Sequence, residues 1–470
     1  MMREKTSFRI AIVAIYIAII AITAFLPTPE GLSFEGKMLI GILIGSIIMW
    51  ITEAIPILAT TWLFAAAVPL MGVLSPNETW AGGVSVAMVL CLSCFAFALF
   101  FQKSTISLRI VAAILAWSKN DSKKAIFGMM LATGLFSLII DDLILVLMML
   151  PFAYTILDAN KTPWGNKSQL AKAMIIGIVF ASYIGGWITP AGSVVNVLAM
   201  GFAEQALGVS VTFANWMVLG TIVAVPVWIV SYLVIVRVFK VEPITDEALA
   251  SIAKQRAALP GLNKSEIWGL IVIIATLAIW ILSSWFPMPD MNVVGLIALA
   301  LLFIPPFNSV NFKEYATESA WQVVMLNWGV GCFVAGMMAT GAISWFVNAI
   351  LGATGGLPVA IVVLLAAIFA CIFHNILPAG AAVAGMLTIP ICSLIAGMGG
   401  NITASIVMVA VFSCAAFLIP LDLCIYVAYS DNRKYLAFTD EAKAGAIPTV
   451  ATIAITAFVL PVVCAAMGLA

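Results

Sequence analysis

Two aspartates, Asp141 and Asp142, stand side by side near the middle of a 33-residue apolar run, Ala125 to Leu157, and are its only charged residues. A carboxylate facing hydrocarbon is costly, so such a pair reads as the lining of an ion or substrate pathway. Adjacent carboxylates repel unless a cation or a proton sits between them. The chemistry open to them is sodium ligation, proton carriage or binding of a cationic group; the plainer reading is two helix N-caps. Asp422 ends 103 residues, 319–421, without Asp, Glu, Lys or Arg. It reads as a second ion-coupling group, or as a solvated residue beside Asp431 and Arg433 where a span ends early. His374, the only histidine, is followed by Asn375. It can carry a proton near neutral pH, or simply hydrogen-bond a neighbouring helix. Ser137 lies one turn before Asp141 and could add a hydroxyl. Gly192, Ser193 and Asn196 combine a close backbone approach with neutral oxygen ligands.

The elements that must hold these groups are membrane helices. Of 470 residues, 64% are hydrophobic and 9% charged, against about a quarter charged in soluble proteins. The chain therefore reads as an all-α polytopic membrane protein with no separable soluble domain. Ile10–Leu26 lacks a small-residue cleavage site and reads as the first span. The eight cysteines lie in apolar segments without zinc spacing and read as packing residues, Cys91 and Cys94 included. Net charge is zero and no basic stripe suggests nucleic acid. No phosphate loop or nucleophile–base pair points to ATP hydrolysis or to an enzyme, so no cofactor is expected beyond a coupling ion, Na+ or H+.

Apolar runs place spans at roughly 10–26, 38–52, 57–74, 83–102, 170–203, 214–236, 267–286, 291–306, 322–351, 403–429 and 445–467. Runs 125–157 and 357–395 are read as hairpins that enter the membrane and return. With the N-terminus cytoplasmic, all Lys and Arg except Lys37 then fall on the cytoplasmic side. The C-terminus is then outside. The tips fall near Asp141–Asp142 and Leu377–Ala381. Segment 103–124 reads as an amphipathic surface helix touching lipid, and Glu53 as a boundary carboxylate. Non-helical backbone at membrane depth must be shielded or line a watery cavity, which favours a transporter over a receptor; a channel is a weaker alternative.

The chain echoes itself at an offset of about 240, which would make two inverted repeats. Trp80 and Trp321 precede corresponding spans, and each hairpin closes in a proline, Pro151 or Pro390. A broken segment follows each hairpin: Gly185 to Ser193 in one, Leu418 to Cys424 in the other. The expected divisions are 1–30, a first helix; 31–240 and 266–470, the repeats; and 241–265, a cytoplasmic linker.

Trp50-Ile51-Thr52-Glu53-Ala54-Ile55-Pro56 with Ala59-Thr60-Thr61, Met130-Leu131-Ala132-Thr133, Met148-Met149-Leu150-Pro151 and the pattern Gly185–Gly192 resemble the divalent anion:sodium symporter family. The resemblance implies about eleven spans with two re-entrant hairpins, a homodimer, and elevator-type movement of a dicarboxylate, citrate or sulfate coupled to sodium or by exchange. Ser137 and Gly192 match the family's first sodium site and Asp141 and Asp142 fall at its first hairpin tip, so a sodium ion is expected at Ser137, Asp141, Asp142 and Gly192. The substrate side falls on Asp142, Leu143, Thr189, Pro190, Ser193, Val194 and Asn196, and on His374, Asn375, Gly380, Ala381 and Cys424. The family's Ser-Asn-Thr tips are replaced by Asp141-Asp142-Leu143 and Gly380-Ala381-Ala382. Acid has been added where neutral carboxylate binders are expected. The substrate is thus expected to be a small organic anion moved with Na+ or H+, or alternatively a cationic or zwitterionic molecule for which Asp141, Asp142 and Asp422 supply the counter-charge.

Overall fold

The computed structural model describes residues 6–52, 54–83, 86–319, 321–354, 356–377 and 379–469; Glu53 and Pro378 of the second tip lie outside them. Every regular element among these residues is helical. Nine helices are long and apolar enough to cross a membrane among the described residues, or eleven if two bent pairs each count as one crossing. The protein is an all-α multi-pass membrane protein.

The same order of elements occurs twice. A short helix (Pro76–Gly82, then Phe312–Glu318) precedes a bent pair, a hairpin, a broken helix and a long last helix. The expected single span at 322–351 is instead bent by 74° between its halves, with Gly341 at φ +67° in the break. That conformation is one a side chain rarely tolerates. Its counterpart bends by 58° after Lys103 and continues as Ile106–Ser118, within the expected surface segment. The linker is not featureless: Asp246–Ala257 is a helix.

The first hairpin consists of Ser122–Phe136 and Asp142–Ala159, the second of Val359–Ile376 and Gly380–Gly397. The first broken helix is Gln169–Gly186, a short turn Pro190–Gly192, then Val194–Leu207; the second is Ile402–Cys414, a gap, then Leu423–Ser430. Both arms of each hairpin pack on the leading half of the broken helix that follows them. The trailing halves cross over: Val194–Leu207 packs on the second hairpin, and Leu423–Ser430 packs on the first. The last helices, Phe213–Val238 and Asp440–Ala454 with its continuation to Ala466, pack against each other.

Small residues let these backbones approach. A Cβ on Gly185 would lie 2.7 Å from the Cα of Gly134, so the first hairpin and first broken helix touch backbone to backbone. Gly220 presses on the carbonyl of Trp187 in the first break, and Gly445 on the carbonyl of Phe417 in the second. Phe417 locks the two broken helices together. Its ring takes edge contacts from Phe180, Tyr183 and Trp187 at centroid distances of 4.8, 5.9 and 6.0 Å. Edge-to-face packing of this kind adds to the area the rings bury.

Candidate functional site

The first tip forms where the helix Ser122–Phe136 ends in turns whose N–H groups bond back to Thr133, Leu135 and Phe136. After Phe136 the chain makes turns through Ile140, and Asp141 opens the next helix from an extended backbone (φ −54°, ψ 142°). Neither aspartate caps that helix in the usual way: Asp141 accepts no side-chain cap bond. Its Oδ2 instead accepts from the backbone N–H of Val194 at 3.4 Å, the first residue of the trailing half-helix. Asp141 thus occupies the positive end of a neighbouring helix. It also borders a narrow crevice lined by Cys91, Cys94, Pro190, Ser193 and Val197.

Asp142 is turned to the other side and is buried. Its Oδ2 accepts from the thiol of Cys414 at 2.8 Å, and its Oδ1 lies 3.5 Å from the hydroxyl of Ser137. Cys414 also lies 3.5 Å from the hydroxyl of Ser193. Ser137 donates to the carbonyl of Ser182 at 2.6 Å. A Cβ on Gly186 would stand 2.5 Å from Asp142 Oδ1, 3.2 Å from the carbonyl of Gly192 and 3.3 Å from Ser137 Oγ. Carboxylate, hydroxyl and carbonyl oxygens therefore converge where Gly186 leaves space, a donor set that suits a hard cation. Ser137, Asp142 and Gly192 are brought together; Asp141 is not in this cluster, because its side chain leaves toward Val194. Among the described residues no three His, Cys, Asp or Glu side chains group as a transition-metal site.

Hydrogen bonds hold the first break in shape. Asn196 donates to the carbonyls of Gly186 at 2.7 Å and Thr189 at 2.8 Å, and its own carbonyl oxygen is buried without a partner. The Thr189 hydroxyl donates to the carbonyl of Leu138, tying break to tip. Trp216 donates its indole N–H to the carbonyl of Trp187 at 3.0 Å.

The second half of the site is drawn from the other repeat. Asp422 is buried, which excludes the solvated alternative. It caps Leu423–Ser430 by accepting from the N–H of Cys424 at 2.9 Å. Its Oδ1 accepts from the hydroxyl of Tyr183 at 2.5 Å, and its Oδ2 stands 3.6 Å from Nε2 of His374. Asn375 donates to the carbonyl of Cys371 and accepts from the N–H of Leu418 at 3.3 Å, joining the second hairpin to the second break. Gly380 lies against the carbonyl of Ser413, and its Cβ position is 3.1 Å from Val195. Ala381 is buried and Leu143 half-buried beside the first tip.

The N-terminal ends of Asp142–Ala159, Val194–Leu207 and Gly380–Gly397 therefore meet around Val194 and Val195. Helix N-termini attract anions. No Lys or Arg side chain bonds to Asp141, Asp142 or Asp422 among the described residues. Sequence reasoning missed Cys414 and Tyr183, which read as core residues because nothing in an apolar helix marks the one side chain that meets a carboxylate.

The citrate transporter family model (CitMHS) matches residues 47–416. Among curated proteins, the sodium-dependent dicarboxylate transporter SdcS of Staphylococcus saprophyticus is 27% identical over 348 residues, covering 69% of this chain and 66% of that protein. SdcS of Staphylococcus aureus strain RF122 is 26% identical over 357 residues, covering 71% and 68%. The match thus spans about two thirds of these relatives' length, and both are transporters, not enzymes. Among solved structures, the YdaH transporter of Alcanivorax borkumensis aligns over 98% of both chains with a TM-score of 0.58 at 14% identity, which shows a shared fold. The resemblance read from the motifs holds: the chain belongs to the citrate transporter family, alongside the sodium-dependent dicarboxylate transporters.

Proposed function

We propose that the protein is a secondary transporter that carries a small organic anion, a dicarboxylate or citrate, across the membrane together with a cation. The observation that carries this reading is the meeting of three helix N-termini beside an oxygen cluster of Ser137, Asp142 and Gly192. The N-termini neutralise the substrate's charge and the oxygen cluster holds the coupling cation, sodium in the first instance. The sodium dependence and dicarboxylate transport named for SdcS support the same assignment. Binding of the cation tightens Asp142 onto Gly186 and Gly192, fixing the first break and the N–H of Val194 next to it. Movement is of the elevator type within a homodimer, the hairpins and broken helices travelling as one unit. The N-terminus lies in the cytoplasm and the C-terminus outside, as the distribution of Lys and Arg favours.

A second reading rests on one observation: carboxylates, not cationic side chains, face the site. A cationic or zwitterionic substrate would then pair with Asp141, Asp142 and Asp422. Uptake into proteoliposomes separates the two. With a sodium gradient, succinate and citrate should accumulate and compete with each other. Accumulation of only amines or amino acids would favour the second reading, and no uptake of any of them would sink both.

A further inference from the structure

The bend after Lys103 is followed by an arginine whose hydrogen bonding is incomplete. Arg109 lies in the first turn of Ile106–Ser118 and is half-buried. Its Nε donates to the hydroxyl of Thr105 at 3.1 Å. That hydroxyl and the N–H of Thr105 donate in turn to one oxygen of Glu266, at 2.8 and 2.6 Å, and the other oxygen accepts from the N–H of Asn263. Glu266 is thus occupied by other donors. Arg109 Nη2 is enclosed without an acceptor, and no carboxylate lies within 4 Å of the guanidinium among the described residues. A charged donor enclosed without an acceptor is costly, which points to an acceptor from outside the chain.

Arg109 lines an open recess of about 350 Å³ together with Ile110, Ala113 and Leu259, and it supplies the one polar side chain of the four. The recess lies between two elements that lipid can reach. Ile106–Ser118 starts where a crossing ends at Lys103, and it turns away from that crossing by 58°. Ile110, Ala113 and Trp117 are exposed along one side of it. An apolar stripe with a tryptophan is what a helix lying in the membrane interface carries. Leu259 follows the helix Asp246–Ala257, which packs on Ile106–Ser118, and Leu262 just beyond is exposed as well.

The other repeat shows that the fold itself asks for no charge here. Ile106-Ser107 matches Ile343-Ser344 in the counterpart helix Ala342–Thr354. The place of Arg109 is then taken by Phe346, which is 41% exposed. A surface helix is complete with an apolar residue at this place, so the arginine and its recess are a local addition.

We propose that this recess is a binding site for an anionic phospholipid. The phosphate sits on the guanidinium, whose fork suits its oxygens, and an acyl chain lies along Ile110, Ala113 and Leu259. A free phosphate gains only the first of these contacts. Phosphatidylcholine carries the same phosphate but brings a cation to a wall that already holds one. Lys119, just past the end of the surface helix, and Lys254, on the helix packed against it, are exposed and add to the attraction for negative headgroups. A lipid held this way joins the surface helix to the linker, whatever substrate the carrier moves.

The full-length protein is purified in detergent and offered phosphatidylglycerol or phosphatidylcholine of the same chain length, and native mass spectrometry reads the lipid retained. The wild type should retain phosphatidylglycerol about tenfold better than phosphatidylcholine. Arg109→Ala should lower phosphatidylglycerol to the level of phosphatidylcholine, whereas Lys254→Ala should leave most of it bound. Equal losses in the two variants, or equal retention of the two lipids by the wild type, overturn the proposal. An excess of inorganic phosphate should leave phosphatidylglycerol in place; its displacement would assign the recess to free phosphate and overturn the lipid site. If Arg109→Ala does not fold, Ala113→Trp carries the same test, since it fills the recess and leaves the arginine in place. Unchanged retention of phosphatidylglycerol in that variant overturns the proposal.

Discussion

The thiol of Cys414 donates to Oδ2 of Asp142 at 2.8 Å, joining the second broken helix to the first hairpin tip across 272 residues of chain. A thiol is a weak donor, and a carboxylate acceptor strengthens the bond it makes. Cys414→Val should therefore weaken the apparent affinity for the coupling cation by about tenfold, while Cys414→Ser keeps it near the wild type. The sodium concentration giving half-maximal uptake measures this. Equal values in the two variants would show that the bond is incidental.

Gly186 leaves the space in which the oxygens converge. Gly186→Ala would set a methyl 2.5 Å from Asp142 Oδ1 and 3.3 Å from Ser137 Oγ. Both are held by neighbours, so relief is costly, about 1–3 kcal/mol. Uptake should fall by at least about tenfold while the purified protein elutes as a single peak. Gly201→Ala, where an added Cβ meets nothing within 4 Å, serves as the control.

Asp141 holds a helix N-terminus that a substrate anion would otherwise use. Asp141→Asn removes one negative charge next to Val194 N–H, and the preference for a dianion over its monoanionic analogue should rise several-fold, about 1 kcal/mol or more. Competition of labelled succinate uptake by succinate and by its monoamide gives the ratio. A fall in that ratio would instead favour a cationic substrate with Asp141 as its counter-charge.

Lys172 and Asp440 form a buried pair at 2.9 Å, with side-chain exposures of 10% and 3%. Removing Lys172 leaves the buried Asp440 with only Lys443, at 3.7 Å, and the N–H of Ala437. Lys172→Met should destabilise the protein by about 3–5 kcal/mol, and Lys172→Met/Asp440→Asn should recover much of that loss. Thermal unfolding in detergent reads both. A single mutant as stable as the double mutant would contradict the argument.

Much of the architecture was legible because lipid makes sequence blunt: spans must be apolar and charges must sit at their ends. The hairpin predicted at 125–157 lies at Ser122–Ala159, and that at 357–395 at Val359–Gly397. The bend in 322–351 was hidden, because Thr340 and Gly341 interrupt neither hydropathy nor charge. At the site, Asp142 and Asp422 were visible as anomalies of cost. The opposite aims of Asp141 and Asp142 were not, since neighbours in sequence differ only by a rotation that the first turn of the helix decides.

Gly220 and Gly445 clamp each break to the last helix of its repeat. Those helices also present Val225, Ile229, Ile447 and Val450 outward, all well exposed. Under the proposed elevator movement, displacing the breaks drags these outward faces with it, and the travelling unit carries part of its own outer wall through the acyl chains. Turnover should then respond to bilayer thickness and fluidity, with chain length of the liposome lipid altering maximal rate and leaving half-saturation alone. On that proposal, the solvent for the stroke is the lipid itself.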